Sequence, residues 1–270
     1  MNLDDYNEVK RTKVLVYGPP KSGKTAAVGQ LAEHFNLHWC DLESGIKTLM
    51  QPEILKPEFR KNVHLYNFPD HRAYPIAIDG MRQLFKGGSK RFCYSHGVNN
   101  CPLCSKDNGT KWSDPIDLGK FTDKDILVVD SLTQLSQSSA NKVTLKDWQK
   151  DDEYKMTYDD YRMQNMYIDE VLSKMQASNI NVCVISHEVD VEKDEKREKI
   201  VPVASTKNFS KTVAKYFDEV IYLQVLNKKH SAYSATTYSN TVLTGGRSGI
   251  KLEEGKELGL KDIFLQGVKK

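Results

Sequence analysis

The 270-residue chain contains no apolar run approaching the roughly 18 residues that span a bilayer, and Met1-Asn-Leu-Asp-Asp-Tyr6 lacks the basic-then-apolar pattern of an export signal. No membrane partner is expected, and the cytoplasm is the expected compartment. A dominant charge is missing as well: 39 Lys and Arg against 36 Asp and Glu leave a net charge of +3. That excess neither requires nor excludes nucleic acid, because phosphate contacts depend on a local basic patch. An even cysteine count is also absent. Five thiols with no export signal argue against a disulfide framework and for a metal cluster plus buried free thiols. With 39% hydrophobic and 28% charged residues, the composition suits an ordinary globule: a core of about 200 residues carrying one insertion.

What is present begins with Lys13-Val-Leu-Val-Tyr17, a strand-like apolar run. Gly18-Pro19-Pro20-Lys21-Ser22-Gly23-Lys24-Thr25 follows at once, and Ala26 to Phe35 then has helical spacing. Strand, glycine-rich loop and helix in this order form a P-loop, whose backbone N–H groups cradle the phosphates of ATP. Lys24 is expected to reach the β- and γ-phosphates and the Thr25 hydroxyl to ligate Mg²⁺. A second acidic residue is needed at the end of a buried parallel strand beside that loop, and Asp125-Ile-Leu-Val-Val-Asp130 supplies Asp130.

Leu37-His-Trp-Cys-Asp41-Leu-Glu43-Ser-Gly45 reads as a further strand ending in two carboxylates and a glycine turn, and Ile180 to Ile185 as another running into Ser186-His187-Glu188. A carboxylate at the first of these ends can orient water in line with a γ-phosphoryl group; it can equally cap the next helix. Residues 189–200 are of mixed charge and read as a mobile loop or solvated hairpin. Beyond them, Ile200 to Ala204 reads as a strand, Lys207 to Phe217 as a basic helix with Lys207, Lys211 and Lys215 on one face, and Asp218 to Val225 as another strand. Tyr233 to Thr244 suggests a hairpin preceding Gly245-Gly-Arg247.

In this order the motifs resemble the RecA-like P-loop ATPases. They resemble most the bacteriophage branch of that class, small nucleotide-binding proteins associated with single-strand annealing and recombination. The resemblance implies a RecA-like α/β core, a mainly parallel sheet flanked by helices, over residues 1–85 and 125–270. It makes Glu43 the general base, with Asp41 the closest alternative, and His187 the sensor of the γ-phosphate. Arg247, or else Lys251, becomes the residue reaching a neighbouring subunit's nucleotide. It further implies a homo-oligomer with ATP between subunits, single-stranded DNA as partner, and attendant single-strand-binding or replication proteins, in the host cytoplasm if the chain is phage-encoded. The first DNA loop would fall in the polar stretch from Thr133 to Asn165, before an amphipathic helix from Tyr167 to Ala177; there Trp148, Tyr154, Tyr158 and Tyr161 could stack on bases or equally pack a helix onto the core, and the acidic run Asp151-Asp-Glu153 argues against an unbroken DNA surface.

Residues 86–124 are polar and glycine-rich and are read as an insertion. Cys93-x2-His96 and Cys101-x2-Cys104 give two tight pairs, three thiolates and one imidazole, suited to a closed tetrahedral Zn²⁺ knuckle. Lys86, Lys90, Arg91 and Lys106 around Phe92 and Tyr94 could contact DNA there. Two rival readings stand beside the DNA-dependent ATPase: a small-molecule phosphotransferase, whose metal-bound lid would carry more arginines than the single Arg91 of this stretch, and an ATP switch that loads another protein onto DNA.

Overall fold

The computed structural model describes residues 11–193, 196–226, 229–233, 242–247 and 259–265, without the side chains of 192–198 and 226–240. Its centre is a nine-stranded sheet. The strands are β1 (Lys13–Gly18), β2 (Asn36–Asp41), β3 (Val63–Asn67), β4 (Asp125–Asp130), β5 (Asn181–Lys193), β6 (Lys196–Pro202), β7 (Glu219–Leu226), β8 (Lys229–Tyr233) and β9 (Gly245–Gly246). Along the main path the order is β3-β2-β4-β5-β1-β7-β8, with β6 paired to β5 and β9 to β7. The six strands from β3 to β7 on this path pair in parallel, while β6, β8 and β9 add antiparallel edges.

Strand alternation sends side chains to two opposite cores. Leu15, Tyr17, Leu127, Val129, Val182 and Val184 pack under α2 (Ala77–Leu84), α3 (Leu132–Trp148) and α4 (Tyr158–Ala177). Val14, Val16, Leu37, Trp39, Ile126, Val128 and Ile185 pack against α1 (Lys24–Gly29) and α6 (Leu260–Leu265). Burial on both faces is why these strands read as continuous apolar runs. The result is the expected mostly parallel sheet flanked by helices.

The structure departs from the sequence reading in two places. The polar stretch Thr133–Asn165 is mostly helix: α3, a connection, and an α4 that starts nine residues before Tyr167 at the capping box of Thr157 and Asp160. The basic helix stops being α-helical at Thr212, where α5 (Lys207–Thr212) tightens into a 3-10 turn, so the three lysines do not share one continuous face. The mixed-charge stretch forms the β5–β6 hairpin, one of the two forms expected of it. Most of the suggested hairpin from Tyr233 to Thr244, and Lys251, lie outside the described residues.

Candidate active site

Register aligns the C-terminal ends of five strands into one edge: Gly18 pairs with His187, Ile185 with Asp130, Asp130 with Asp41, and Asp41 with Asn67. The P-loop leaves β1 at this edge. Gly18 approaches β7 so closely that a Cβ would lie 2.0 Å from the Leu223 carbonyl oxygen, a place that only glycine can occupy. Lys21 and Gly23 have φ of 64° and 87°, turning the loop back so that Ser22 N–H reaches the Pro19 carbonyl at 3.3 Å.

Lys24 is buried, and its ammonium donates to the carbonyls of Gly18 (3.0 Å) and Pro19 (2.8 Å) and faces His187 Nδ1 at 3.4 Å. Burial lowers its pKa to about 8, against the opposing pull of Glu43, Asp130 and Glu188. An ammonium can only donate, so Nδ1 of His187 is the acceptor and Nε2 carries the proton. That proton faces Glu43 Oε2 at 3.4 Å, while the Ser131 hydroxyl donates to Glu43 Oε1. A consistent chain of donors therefore runs from Lys24 through His187 to Glu43. Burial alone would raise the Glu43 carboxyl, yet the bonds from His187 and Ser131 and the nearby Lys24 hold it below its ordinary value.

Asp41 lies differently. It is buried, its Oδ1 accepts from Gly45 N–H at 3.1 Å, and it closes the turn that carries Glu43. Of the two carboxylates, it is Glu43 that faces Lys24 and His187. Thr25 Oγ1 sits 3.3 Å from Asp130 Oδ2. Asp130 is raised to about 7 by burial and by the neighbouring Glu43 and Asp41 carboxylates. A hydroxyl and a buried carboxylate at one point, in a field of excess negative charge, form a donor set that suits Mg²⁺; Thr25 and Asp130 would hold the ion, which supplies charge neutralisation on the β- and γ-phosphates.

Arg247 stands at the other end of the sheet. Its N–H donates to the Asp218 carbonyl and to Glu219 Oε1, both at 2.9 Å, and its guanidinium lies 3.7 Å from Asp218 Oδ1. Those partners begin β7 beside Lys13, a six-residue strand away from Gly18, or about 17 Å. Arg247 does not join its own chain's site.

Sequence reasoning missed Ser131, which also N-caps α3 by accepting from Gln134 N–H at 3.2 Å, and Thr133, whose hydroxyl accepts from His187 N–H at 2.8 Å. A Ser directly after the strand-terminal Asp was the only signal for the first. The insertion brings the ligand atoms of Cys93, His96, Cys101 and Cys104 within 4.8 Å of one another. His96 Nδ1 is 3.1 Å from Cys104 Sγ and 3.6 Å from Cys101 Sγ. Zn–S bonds of about 2.3 Å in a tetrahedron place ligand atoms just under 4 Å apart, so this donor set fits such an ion after small adjustments.

A strand-loop-helix phosphate site at the edge of a mostly parallel sheet, with an acidic strand end beside it, defines an α/β P-loop NTPase. A family model described as an AAA domain matches residues 10–258, and the chain belongs to that family, a nucleotide-binding P-loop ATPase. No curated protein matches it. Among the described residues no helix is long and apolar enough to cross a membrane.

Proposed function

We propose that this ATPase binds single-stranded DNA and promotes annealing or strand exchange, with Mg-ATP held between subunits of a homo-oligomer. In this reading Glu43 orients the attacking water, Lys24 neutralises the phosphates, and His187 senses the γ-phosphate. Arg247 of one subunit completes the site of the next, and Cys93, His96, Cys101 and Cys104 hold a structural Zn²⁺.

The observation that carries the DNA reading is the start of α4. Its 20 residues extend about 28 Å, whereas the six-residue strands of the sheet extend about 17 Å. Gln164 is fixed to the Ser136 carbonyl at 3.1 Å, one turn into the helix that leaves Asp130, so Tyr158, about 9 Å earlier along α4, comes to about the level of the nucleotide-bearing edge. There Tyr158 is 83% and Tyr161 45% exposed, in a groove of about 700 Å³ shared with Arg162, Met166 and Phe209. The other two aromatics of the stretch are engaged: Arg72 lies over Trp148 at 4.8 Å, and Tyr154 donates to Asp160 at 2.7 Å. The groove's acids are countered too, Glu170 by Arg82 and Lys174, and Asp169 by Tyr216 and Lys215. Two free aromatic faces on a wall with neutralised acids suit unpaired bases, each stack contributing about 1–3 kcal/mol.

The test is ATP hydrolysis with Mg²⁺, with and without single-stranded DNA, in the wild type, Glu43→Gln and the double variant Tyr158→Ala, Tyr161→Ala. The expected result is DNA-stimulated turnover, abolished in Glu43→Gln with nucleotide binding intact, and stimulation lost in the tyrosine variant with basal turnover retained. Turnover indifferent to DNA would remove this reading in favour of the phosphotransferase or loader.

A further inference from the structure

The knuckle does not hang free of the ATPase core. Gly97, next to the ligand His96, has a φ of 63°, and a Cβ there would sit 3.1 Å from Pro69 Cδ and 3.2 Å from Phe68 Cα. The knuckle thus lies backbone against backbone on the loop leaving β3. Tyr94, between ligands Cys93 and His96, donates its hydroxyl to the Leu65 carbonyl at 3.3 Å, and its own carbonyl accepts from Asn67 Nδ2 at 3.4 Å. The ring of His96 meets Tyr74 edge-on at 6.4 Å, and Phe92 meets Phe68 the same way at 5.0 Å. Residues 65–74 are gripped along their length by the segment that carries the ligands.

That loop in turn supports the catalytic edge. Phe68 N–H donates to the Asp41 carbonyl at 3.1 Å, and Asp41 closes the turn that presents Glu43. Phe68, Pro69 and Asp70 form, with Glu43 and Gln134, the wall of a cavity of about 450 Å³. Two backbone links therefore separate Gly97 from the Glu43 turn. The knuckle has little apolar core of its own: among the described residues, the apolar side chains packed with its three buried thiols are half-buried Val98 and Trp112. A stretch so built is ordered by metal ligation rather than by hydrophobic burial.

We propose that Zn²⁺ bound by Cys93, His96, Cys101 and Cys104 fixes the loop of residues 67–71 and, through it, the turn carrying Glu43, so that the knuckle is a positioning element for ATP hydrolysis. This rests on Glu43 acting as proposed above. In-line attack is sensitive to placement, and a shift of the order of 1 Å at the water-orienting carboxylate costs about a hundredfold in rate. ATP affinity depends on the P-loop across the sheet and does not depend on the knuckle.

The experiment uses the full chain and reads zinc content, the Kd for ATP, kcat, and tryptophan fluorescence compared with that of Trp112→Phe, which separates the Trp112 signal in the knuckle from those of Trp39 and Trp148. Chelation should release one Zn²⁺ per chain, change the Trp112 signal, lower kcat by about ten- to a hundredfold, leave the Kd within about twofold, and be reversed by added Zn²⁺. His96→Ala should mimic chelation, while His96→Cys, which restores a fourth ligand, should rescue zinc and kcat together. Gly97→Ala should keep zinc yet lower kcat, because its Cβ, at a φ of 63°, strains the turn and crowds Phe68 and Pro69. Glu43-dependent turnover that is indifferent to bound zinc overturns the inference alone, whereas protein that binds no zinc overturns it together with the zinc site of the proposed function. Turnover unaffected by Glu43→Gln overturns the reading beneath it as well.

Discussion

Replacing Lys24 by methionine should make the protein more stable while depriving it of nucleotide binding. Lys24 is a buried ammonium, and burial lowers its pKa from an ordinary value near 10.5 to about 8. At neutral pH that difference corresponds to about 3 kcal/mol opposing folding. Methionine has a similar shape and no charge to desolvate. It also forfeits the bonds to the Gly18 carbonyl, which is buried, and the Pro19 carbonyl, which is partly exposed, at a cost of about 2 kcal/mol together. The net gain is about 1 kcal/mol, or a rise of about 2–4 °C in Tm for a chain this size. Below pH 8 both folded and unfolded chains hold the proton, and the full opposition stands. Between pH 8 and about 10.5 the folded chain releases it while the unfolded chain keeps it, so wild-type stability rises relative to Lys24→Met. The assay is thermal unfolding of both proteins without nucleotide from pH 6.5 to 10, repeated with saturating Mg-ATP. Expected are a higher Tm for Lys24→Met at pH 7, a gap that narrows above pH 8, and ATP stabilisation in the wild type alone. A lower Tm for the variant at pH 7, or a gap that widens with pH, would refute the reasoning.

Ser131→Ala removes the α3 cap and one of the bonds holding down the Glu43 carboxyl; it should cost about 1 kcal/mol in urea unfolding and move the acid limb of the turnover profile to higher pH, and an unmoved limb would count against Glu43 as the base. Asp70 accepts from Ala77 N–H, Ser138 Oγ and Gln134 Nε2 at 2.7–3.0 Å, so Asp70→Asn sets an amide donor against an existing donor and should cost about 2 kcal/mol, read as a lower urea midpoint at unchanged slope. Mixing inactive Lys24→Met with inactive Arg247→Ala should restore part of the turnover, because in some mixed interfaces an intact P-loop meets an intact arginine; no recovery in any ratio would exclude Arg247 as a residue acting across subunits.

The sheet and the nucleotide edge were legible because their signals are local and strong. Doubly buried parallel strands leave apolar runs such as Ile126 to Val129 and Val182 to Ile185, and a P-loop leaves an ordered string of residue types. The ligand quartet of the knuckle was legible for the same reason, since metal ligation depends on spacing and not on hydrophobic periodicity. α3 was hidden because its covered face is built from Ser136, Ser138, Ser139, Asn141 and Thr144, which satisfy themselves by hydrogen bonds to α4, Asp70 and their own backbone instead of by apolar contact. β3 has a half-buried pattern, and went unread; α2 carries Ala77, Ile78, Met81 and Leu84 at helical spacing, a signal that was available. The roles of Ser131 and Asp70 exist only once β4, α3 and the β3 loop are packed, and no spacing in the chain announces them.

The placement of β5 between β1 and β4 explains why one histidine can touch both Lys24 of the P-loop and the carboxylate beyond it. In a sheet with β1 adjacent to β4, no strand end would lie between Lys24 and Glu43, and Lys24 would meet Asp130 without an intermediary. β5 also continues past that edge into the hairpin with β6, and His187 sits where the sheet strand becomes the hairpin strand. The junction is tied on several sides: His187 N–H to Thr133 Oγ1, the His187 carbonyl to Val203 N–H, Ser186 Oγ to the Val203 carbonyl, and Glu188 to the Tyr222 hydroxyl, all at 2.7–2.8 Å. Anything that displaces the His187 backbone must therefore strain α3, β6 or β7, whereas rotation of its ring exchanges only the 3.4 Å contacts to Lys24 and Glu43. In the proposed reading, a γ-phosphate competing for Lys24 would act on those long contacts first. Occupancy of the P-loop would then be felt at Glu43 through a side-chain rotation, with the hairpin following only if the phosphate drew the backbone itself.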